Sequence, residues 1–144
     1  MMNFEEYEKY VHEQIRRVDD IILDEMIDQA TECVAEIKAR TPVKTGALRR
    51  SMTSGEINHI DNSYSVDIGS SLEYARAVEE GHRQEVGKYI PALGKRLKTP
   101  FIQGYHMIND GITIHQDLLE KRIATRVETV SYTHLRAHET PEHL

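Results

Sequence analysis

The sequence predicts an α+β fold in which a long amino-terminal helix and a shorter carboxyl-terminal helix pack on a small antiparallel β-sheet. Three observations carry this prediction. Apolar residues recur at helical spacing before Thr41, the period changes to two around Tyr64, and a second helical pattern follows His106. The chain has 144 residues, of which 39% are hydrophobic and 29% charged, so we expect one globular domain over residues 1–129.

The first helix is predicted to run from Phe4 to Arg40, because Pro42 lacks an amide hydrogen and disfavours helical geometry at Thr41. At 1.5 Å per residue the helix would be about 50 Å long, against roughly 30 Å for a compact domain of this size. We therefore expect either a break near Asp19-Asp20 or a projecting end that packs on another chain. The predicted apolar stripe comprises Phe4, Tyr7, Val11, Ile15, Val18, Ile22, Met26, Ala30, Cys33 or Val34, and Ile37.

A turn and a β-hairpin follow this helix. Thr45 is expected to cap a short helical segment, and Gly46 allows an unusual backbone angle before Arg49 and Arg50, which we expect to point toward the sheet. Residues 52–60 and a segment with alternating Tyr64, Val66 and Ile68 are predicted to be partner strands. Asp61-Asn62-Ser63 forms the turn between them.

The remaining segments are less regular. Residues 72–81 indicate a short helix with Tyr74, Ala75 and Val78 on one face and Gly81 as its stop. Residues 82–100 are predicted to be a long basic loop, followed by a strand at Phe101-Ile102 and then the second helix.

Residues 130–144 lack core periodicity and resemble a translated sequencing adapter, so we expect a non-native or disordered tail and a missing natural carboxyl end. The amino terminus lacks an apolar signal core, and no apolar run is long enough to span a membrane. Secretion and membrane insertion are therefore not expected.

Charge is distributed unevenly along the chain, whose formal net charge is −6. Residues 1–40 hold eleven acidic and five basic residues, whereas residues 82–99 hold one acidic and five basic residues. This asymmetry suggests that copies pair head to tail through an acidic helix and a basic loop. The alternative is that both are ordinary solvated surfaces.

No catalytic motif is visible, so we predict that the protein is not an enzyme and has no cofactor or metal. The sequence contains neither a glycine-rich phosphate loop nor a nucleophile elbow. Cys33 is the only cysteine, which excludes an intrachain disulfide, and its place on the apolar stripe predicts a buried thiol. His134 and His138 have ligand-like spacing, but they fall in the suspect tail.

Two motifs resemble one known family. They are Thr41-Pro42-Val43-x-Thr45-Gly46-x-Leu48-Arg49-x-Ser51 and Tyr74-Ala75-x-x-Val78-Glu79-x-Gly81. Together with the long helix and the hairpin they resemble the gene-product-ten-like family of lambdoid siphophages, which are minor tail or head–tail joining proteins. The resemblance extends over about residues 4–127. Lys44 replaces the commoner Asp, and Arg76 replaces a frequent Pro.

The resemblance implies a non-enzymatic virion protein at the neck or proximal tail, assembled in the bacterial cytoplasm as a homo-oligomeric ring. Its partners would be further copies of itself and other neck, connector or tail-tube proteins. The residues expected to form the structural motif and the interfaces are Thr41, Pro42, Thr45, Gly46, Leu48, Arg49, Arg50, Tyr74, Val78, Glu79, Gly81, Lys95 and Arg96.

The alternative function is a nucleic-acid-binding module that uses the basic loop at residues 82–100. Its lysines and arginines would contact phosphates, and Tyr89 and Tyr105 would stack on bases. The net acidic charge and the lack of a known reading motif count against direct binding of nucleic acid.

Overall fold

The computed structural model describes residues 3–43 and 46–139, with side chains described as far as residue 130. The predicted α+β class is confirmed. The elements in chain order are α1 (Phe4–Arg40), α2 (Ala47–Ser51), β1 (Thr53–Ile60), β2 (Ser63–Gly69), α3 (Ala75–Glu80), β3 (Gly81–Arg83), β4 (Tyr89–Ile90), β5 (Lys95–Arg96), β6 (Phe101–Gln103) and α4 (Met107–Glu139).

Helix α1 is continuous, and no break occurs at Asp19-Asp20. It begins with a capping box: the Asn3 side chain accepts the Glu6 amide hydrogen at 2.8 Å, and the Glu6 carboxylate accepts that of Asn3 at 3.3 Å. It ends at the predicted residue, where the hydroxyl of buried Thr41 donates to the carbonyl oxygen of Ile37 at 2.6 Å.

The predicted hairpin is confirmed. Asp61 and Asn62 have φ values of 50° and 62°, which suit a two-residue turn that matches the twist of the flanking strands. Tyr64, Val66 and Ile68 are half-buried, whereas the alternating Ser63, Ser65 and Asp67 are exposed. The hairpin packs on α1, and the Tyr64 hydroxyl donates a hydrogen bond to the Asp19 carboxylate.

Helix α4 lies antiparallel to α1, because its contacts step back along α1 as α4 advances. Gly111 lies against Ile37, His115 bonds Gln29, and Arg126 pairs with Glu25. Gly111 does not interrupt the helix; a Cβ there would lie 2.7 Å from Cγ1 of Ile37, so glycine permits this close approach. The buried core between the helices and the hairpin comprises Cys33, Ile37, Leu48, Met52, Ala75 and Met107.

Two expectations about the β-structure are corrected. In the part of the chain that the structure describes, the strands form three separate two-stranded antiparallel ladders, β1–β2, β3–β6 and β4–β5, instead of one sheet. Residues 82–100 are not wholly a loop, because short strands in this segment form two successive antiparallel ladders, β3 with β6 and β4 with β5. Strands of two or three residues are too short for a period of two to show in the sequence.

Several expectations concern residues at the margins of the structure. Helix α4 continues past the predicted boundary at residue 130 as far as Glu139, and residues 140–144 lie outside the described residues. Lys44 and Thr45 also lie outside the described residues, and Thr45 is the predicted cap of the short helix. In the part of the chain that the structure describes, no helix combines the length and apolar character needed to cross a membrane.

The bond between Tyr64 and Asp19 gives an expected pH dependence. It raises the pKa of Tyr64 from 10 to about 12, chiefly through the hydrogen bond to Asp19, with burial and the carboxylate charge adding to it. A raised folded-state pKa stabilises the fold below pH 10, and that contribution is lost as the pH rises toward 12. We expect Tyr64→Phe to lower the free energy of unfolding at neutral pH. The difference in unfolding free energy between this variant and the wild type should become smaller as the pH rises from 10 to about 12.

Urea unfolding at several pH values measures this difference. Tyr89→Phe removes the hydroxyl of an exposed tyrosine and is the matched control, for which we expect no change. A constant gap between Tyr64→Phe and the wild type up to pH 12 would contradict the assigned bond.

Candidate functional site

The backbone conformation at the N-cap of α2 favours glycine. Gly46 has φ 76°, in the left-handed region, and is the N-cap residue of α2. The Arg50 guanidinium lies over it, because a Cβ at position 46 would be 2.6 Å from Nη1 of Arg50. Leu48, two residues after Gly46, is buried in the core.

Arg49 does not point toward the sheet as expected. Its Nε donates a hydrogen bond to the Lys38 carbonyl oxygen at 2.7 Å, near the carboxyl end of α1. A cation there satisfies a terminal carbonyl and opposes the negative end of the helix dipole. Arg49 thus joins the turn to α1, and a change at this position would alter folding together with any contact to a partner.

Glu79 binds the amino-terminal end of α4. Its Oε2 accepts the amide hydrogen of Ile108 at 2.8 Å, and its Oε1 accepts that of Asn109 at 2.9 Å. These amides belong to the first turn of α4, where a carboxylate is favoured by both the free donors and the helix dipole. The predicted motif residue therefore connects α3 to a helix that begins 28 residues later in the sequence.

The chain crosses itself in close contact where α3 ends. Gly81 has φ 88°, and a Cβ on it would overlap the Ile102 carbonyl oxygen. A Cβ on Gly104 would overlap the Glu79 carbonyl oxygen and would lie 2.5 Å from the Gly81 amide nitrogen. Two glycines therefore allow the segment before α4 to lie directly on the end of α3.

Residues of both sequence motifs, together with residues of β3, β6 and the segment before α4, line an apolar groove that we name the motif groove. It has a volume of about 500 Å³. Tyr74 and Tyr105 line it and are largely exposed, whereas Leu48 belongs to the buried core. Its lining residues are Pro42, Gly46, Leu48, Tyr74, Ala77, Val78, His82, Ile102, Gln103 and Tyr105.

The sequence placed five of these lining residues among the motif and interface residues, and it named Tyr105 only for the alternative nucleic-acid-binding function. His82, Ile102 and Tyr105 reach the groove because β3 pairs with β6, with His82 opposite Ile102. The exposed apolar residues next to a basic segment were the only signal that could have indicated them. Thr41 is buried nearby, and Lys95 and Arg96 lie in β5, which does not line the groove.

Residues 81–103 form a projecting β-structure that we name the arm. Backbone hydrogen bonds connect the two sides of the arm between its two ladders. The Gln84 backbone N–H donates to the Pro100 carbonyl oxygen at 3.0 Å, and the Gly87 N–H donates to the Leu97 carbonyl oxygen at 2.8 Å. The buried residues that the structure describes include none from the arm. The basic side chains of the arm are Arg83, Lys88, Lys95, Arg96 and Lys98.

The other uncovered surface is the start of α1. The side chains that form the buried core on α1 begin only at Ile21. Before it, Phe4 is 82% exposed, Tyr7 57% and Ile15 55%, and we name these three residues the amino-terminal patch. The start of α1 therefore carries apolar side chains that the described part of the chain leaves exposed.

A metal or catalytic site requires titratable or nucleophilic side chains that lie close together. Among the described residues, no three histidine, cysteine or acidic side chains are grouped as a metal site would require. The buried Cys33 thiol has its pKa raised by burial and by the charge of Glu36, which makes it a poor nucleophile. The His115 ring nitrogen Nδ1 lies 2.9 Å from Oε1 of the buried Gln29 side chain, and this hydrogen bond connects α4 to α1.

One comparison with known proteins gives a match. The family model described as "Bacteriophage HK97-gp10, putative tail-component" matches residues 3–81, more than half of the chain. The match covers α1, the turn, the hairpin and α3, and it stops where the arm begins. No curated protein and no solved structure matches the chain significantly.

Proposed function

The chain belongs to the HK97 gp10-like family of bacteriophage tail components, and from this membership we propose that it is a non-enzymatic assembly protein of the neck or proximal tail. Its role is structural and its place is the virion. The finer proposal is that it completes the tail or joins it to the head. It would assemble in the bacterial cytoplasm as a ring of identical copies that contacts connector or tail-tube proteins.

The observation that carries this proposal is the pair of unlike surfaces at different places on one chain. The arm is basic and contributes nothing to the core, whereas α1 is acidic and exposes the amino-terminal patch. A closed ring requires a heterologous interface, in which one surface of a copy meets a different surface of the next. Opposite charges also favour correct orientation and fast association.

Lys95 is the residue best suited to test the charge pairing. It is exposed in β5 of the arm, so its substitution leaves the core intact. Arg49 is a poorer choice because its bond to the Lys38 carbonyl oxygen couples it to the fold. We expect Lys95→Glu to weaken self-association of the full chain about tenfold, since it replaces an attraction by a repulsion.

The experiment measures mass by light scattering and native mass spectrometry over a range of concentrations, with and without the connector and tail-tube proteins of the same phage. Lys121→Glu changes the net charge equally on the exposed face of α4 and is the matched control. A wild-type chain that stays monomeric under every condition would refute the ring. Loss of DNA binding in Lys95→Glu with unchanged self-association would instead favour the nucleic-acid-binding function.

A further inference from the structure

We propose that the motif groove of one copy receives Phe4 and Tyr7 from α1 of the neighbouring copy. This inference rests on the proposed function and names the contact through which the copies would assemble. It concerns a groove and a helical segment that lie in the same chain but cannot meet within it.

The distance along α1 excludes an intramolecular contact. The motif groove includes Pro42, two residues after the carboxyl end of α1, whereas Phe4 begins the helix. A continuous helix of 37 residues is about 55 Å long. The groove and the Phe4 and Tyr7 side chains therefore lie at opposite ends of one continuous helix, which is the arrangement that head-to-tail association of copies requires.

The shapes and side chains are complementary. The groove has apolar walls from Pro42, Leu48 and Ile102, with tyrosines at its edge. Phe4 and Tyr7 are three residues apart on one helix face, the spacing with which a helix places anchors into an apolar groove. Large aromatic side chains that fill a pocket supply most of the binding energy in many interfaces. The volume of about 500 Å³ lies within the range of pockets that bind ligands.

The charges around the two surfaces are opposite. Glu5, Glu6 and Glu8 surround the aromatic residues in the first turns of α1. On the other side, Arg50 is exposed, and its guanidinium lies over Gly46 of the groove. The arm continues from the groove with further basic residues, so the neighbouring α1 would meet a basic surface along its acidic length. This complementarity favours a second copy of the chain over other occupants.

The first test removes the anchors. We expect the double substitution Phe4→Ala with Tyr7→Ala to weaken self-association of the full chain by about tenfold or more. Because Phe4 and Tyr7 are exposed in the single chain, the unfolding midpoint of the monomeric protein should remain that of the wild type. Ile27→Ala, which shortens another exposed side chain of α1, is the matched control and should leave self-association unchanged.

The second test detects the contact directly. Copies with Phe4→Cys are mixed with copies with Tyr105→Cys and treated with a short bifunctional maleimide; Cys33 is buried and should not react. We expect a cross-linked pair of unlike copies. Ile60→Cys, at the exposed end of the β1–β2 hairpin, replaces Tyr105→Cys in the control and should give no cross-linked pair.

The outcomes separate this inference from the proposed function. A wild-type chain that assembles while the 4–105 cross-link is absent would overturn the inference and leave the ring intact. A chain that never assembles would overturn both. If Tyr105→Ser weakens binding of a connector or tail-tube protein and leaves self-association unchanged, another virion protein occupies the groove and the inference is wrong.

Discussion

Gly104→Ala is expected to destabilise the protein by about 3 kcal/mol, at the upper end of the overpacking range. The added Cβ would overlap the Glu79 carbonyl oxygen and lie 2.5 Å from both the Glu80 carbonyl carbon and the Gly81 amide nitrogen. These are backbone atoms, so no side chain can rotate to make room. The start of α4 and the end of α3 would have to separate, and the carboxylate bonds of Glu79 would be strained with them.

Thermal and urea unfolding measure this effect. For a chain of this length, about 3 kcal/mol corresponds to a fall in Tm of roughly 6–12 °C. Gly69→Ala is the matched control, because a Cβ at position 69 would meet no atom within 4 Å. Equal stabilities of the two variants would show that α3 and the segment before α4 do not cross as closely as described.

Glu79→Ala is expected to lower the free energy of unfolding by about 2 kcal/mol. The substitution removes the carboxylate that accepts two amide hydrogens in the first turn of α4, together with its favourable charge at the positive end of the helix dipole. Glu79→Gln keeps one carbonyl oxygen but loses the charge, and we expect a cost of about half as much. Since α4 packs along α1, fraying of its first turn would also loosen Met107 in the core.

Glu80→Ala provides the comparison for this position. Glu80 pairs with Arg76 at 3.0 Å on an exposed helix surface, and such pairs contribute about 0.5 kcal/mol or less. Chemical unfolding of the three variants should rank Glu79→Ala below Glu79→Gln and both below Glu80→Ala. If Glu79→Ala proved as stable as Glu80→Ala, the carboxylate would not cap α4.

The motif residues show how one substitution can affect both folding and assembly. Gly46, Leu48, Arg49 and Glu79 have clear structural contacts within the single chain. Tyr74, by contrast, is largely exposed at the edge of the groove. Variants of the first group should therefore be assessed by stability before any loss of assembly is interpreted.

The sequence by itself determined the elements whose cause is local. The bounds of α1 follow from an unbroken helical stripe and from Pro42, the hairpin from alternating residues around Asp61-Asn62, and the end of α3 from Gly81. Each signal lies within a few residues of the structure it predicts. For that reason the same residues also carried the family resemblance that the family model bears out.

Only the tertiary structure decided which distant residues meet. Residues 82–100 of the arm were predicted to be a loop because their strands are too short to show a period. Gly104 was indistinguishable from any other glycine until its backbone was seen to cross Gly81. Glu79 was predicted to be a motif or interface residue, but its bonds to the start of α4 could not be predicted, because the amides that it binds lie about 30 residues further along the chain. Close packing of segments that are far apart in sequence depends on the whole fold, and no local pattern records it.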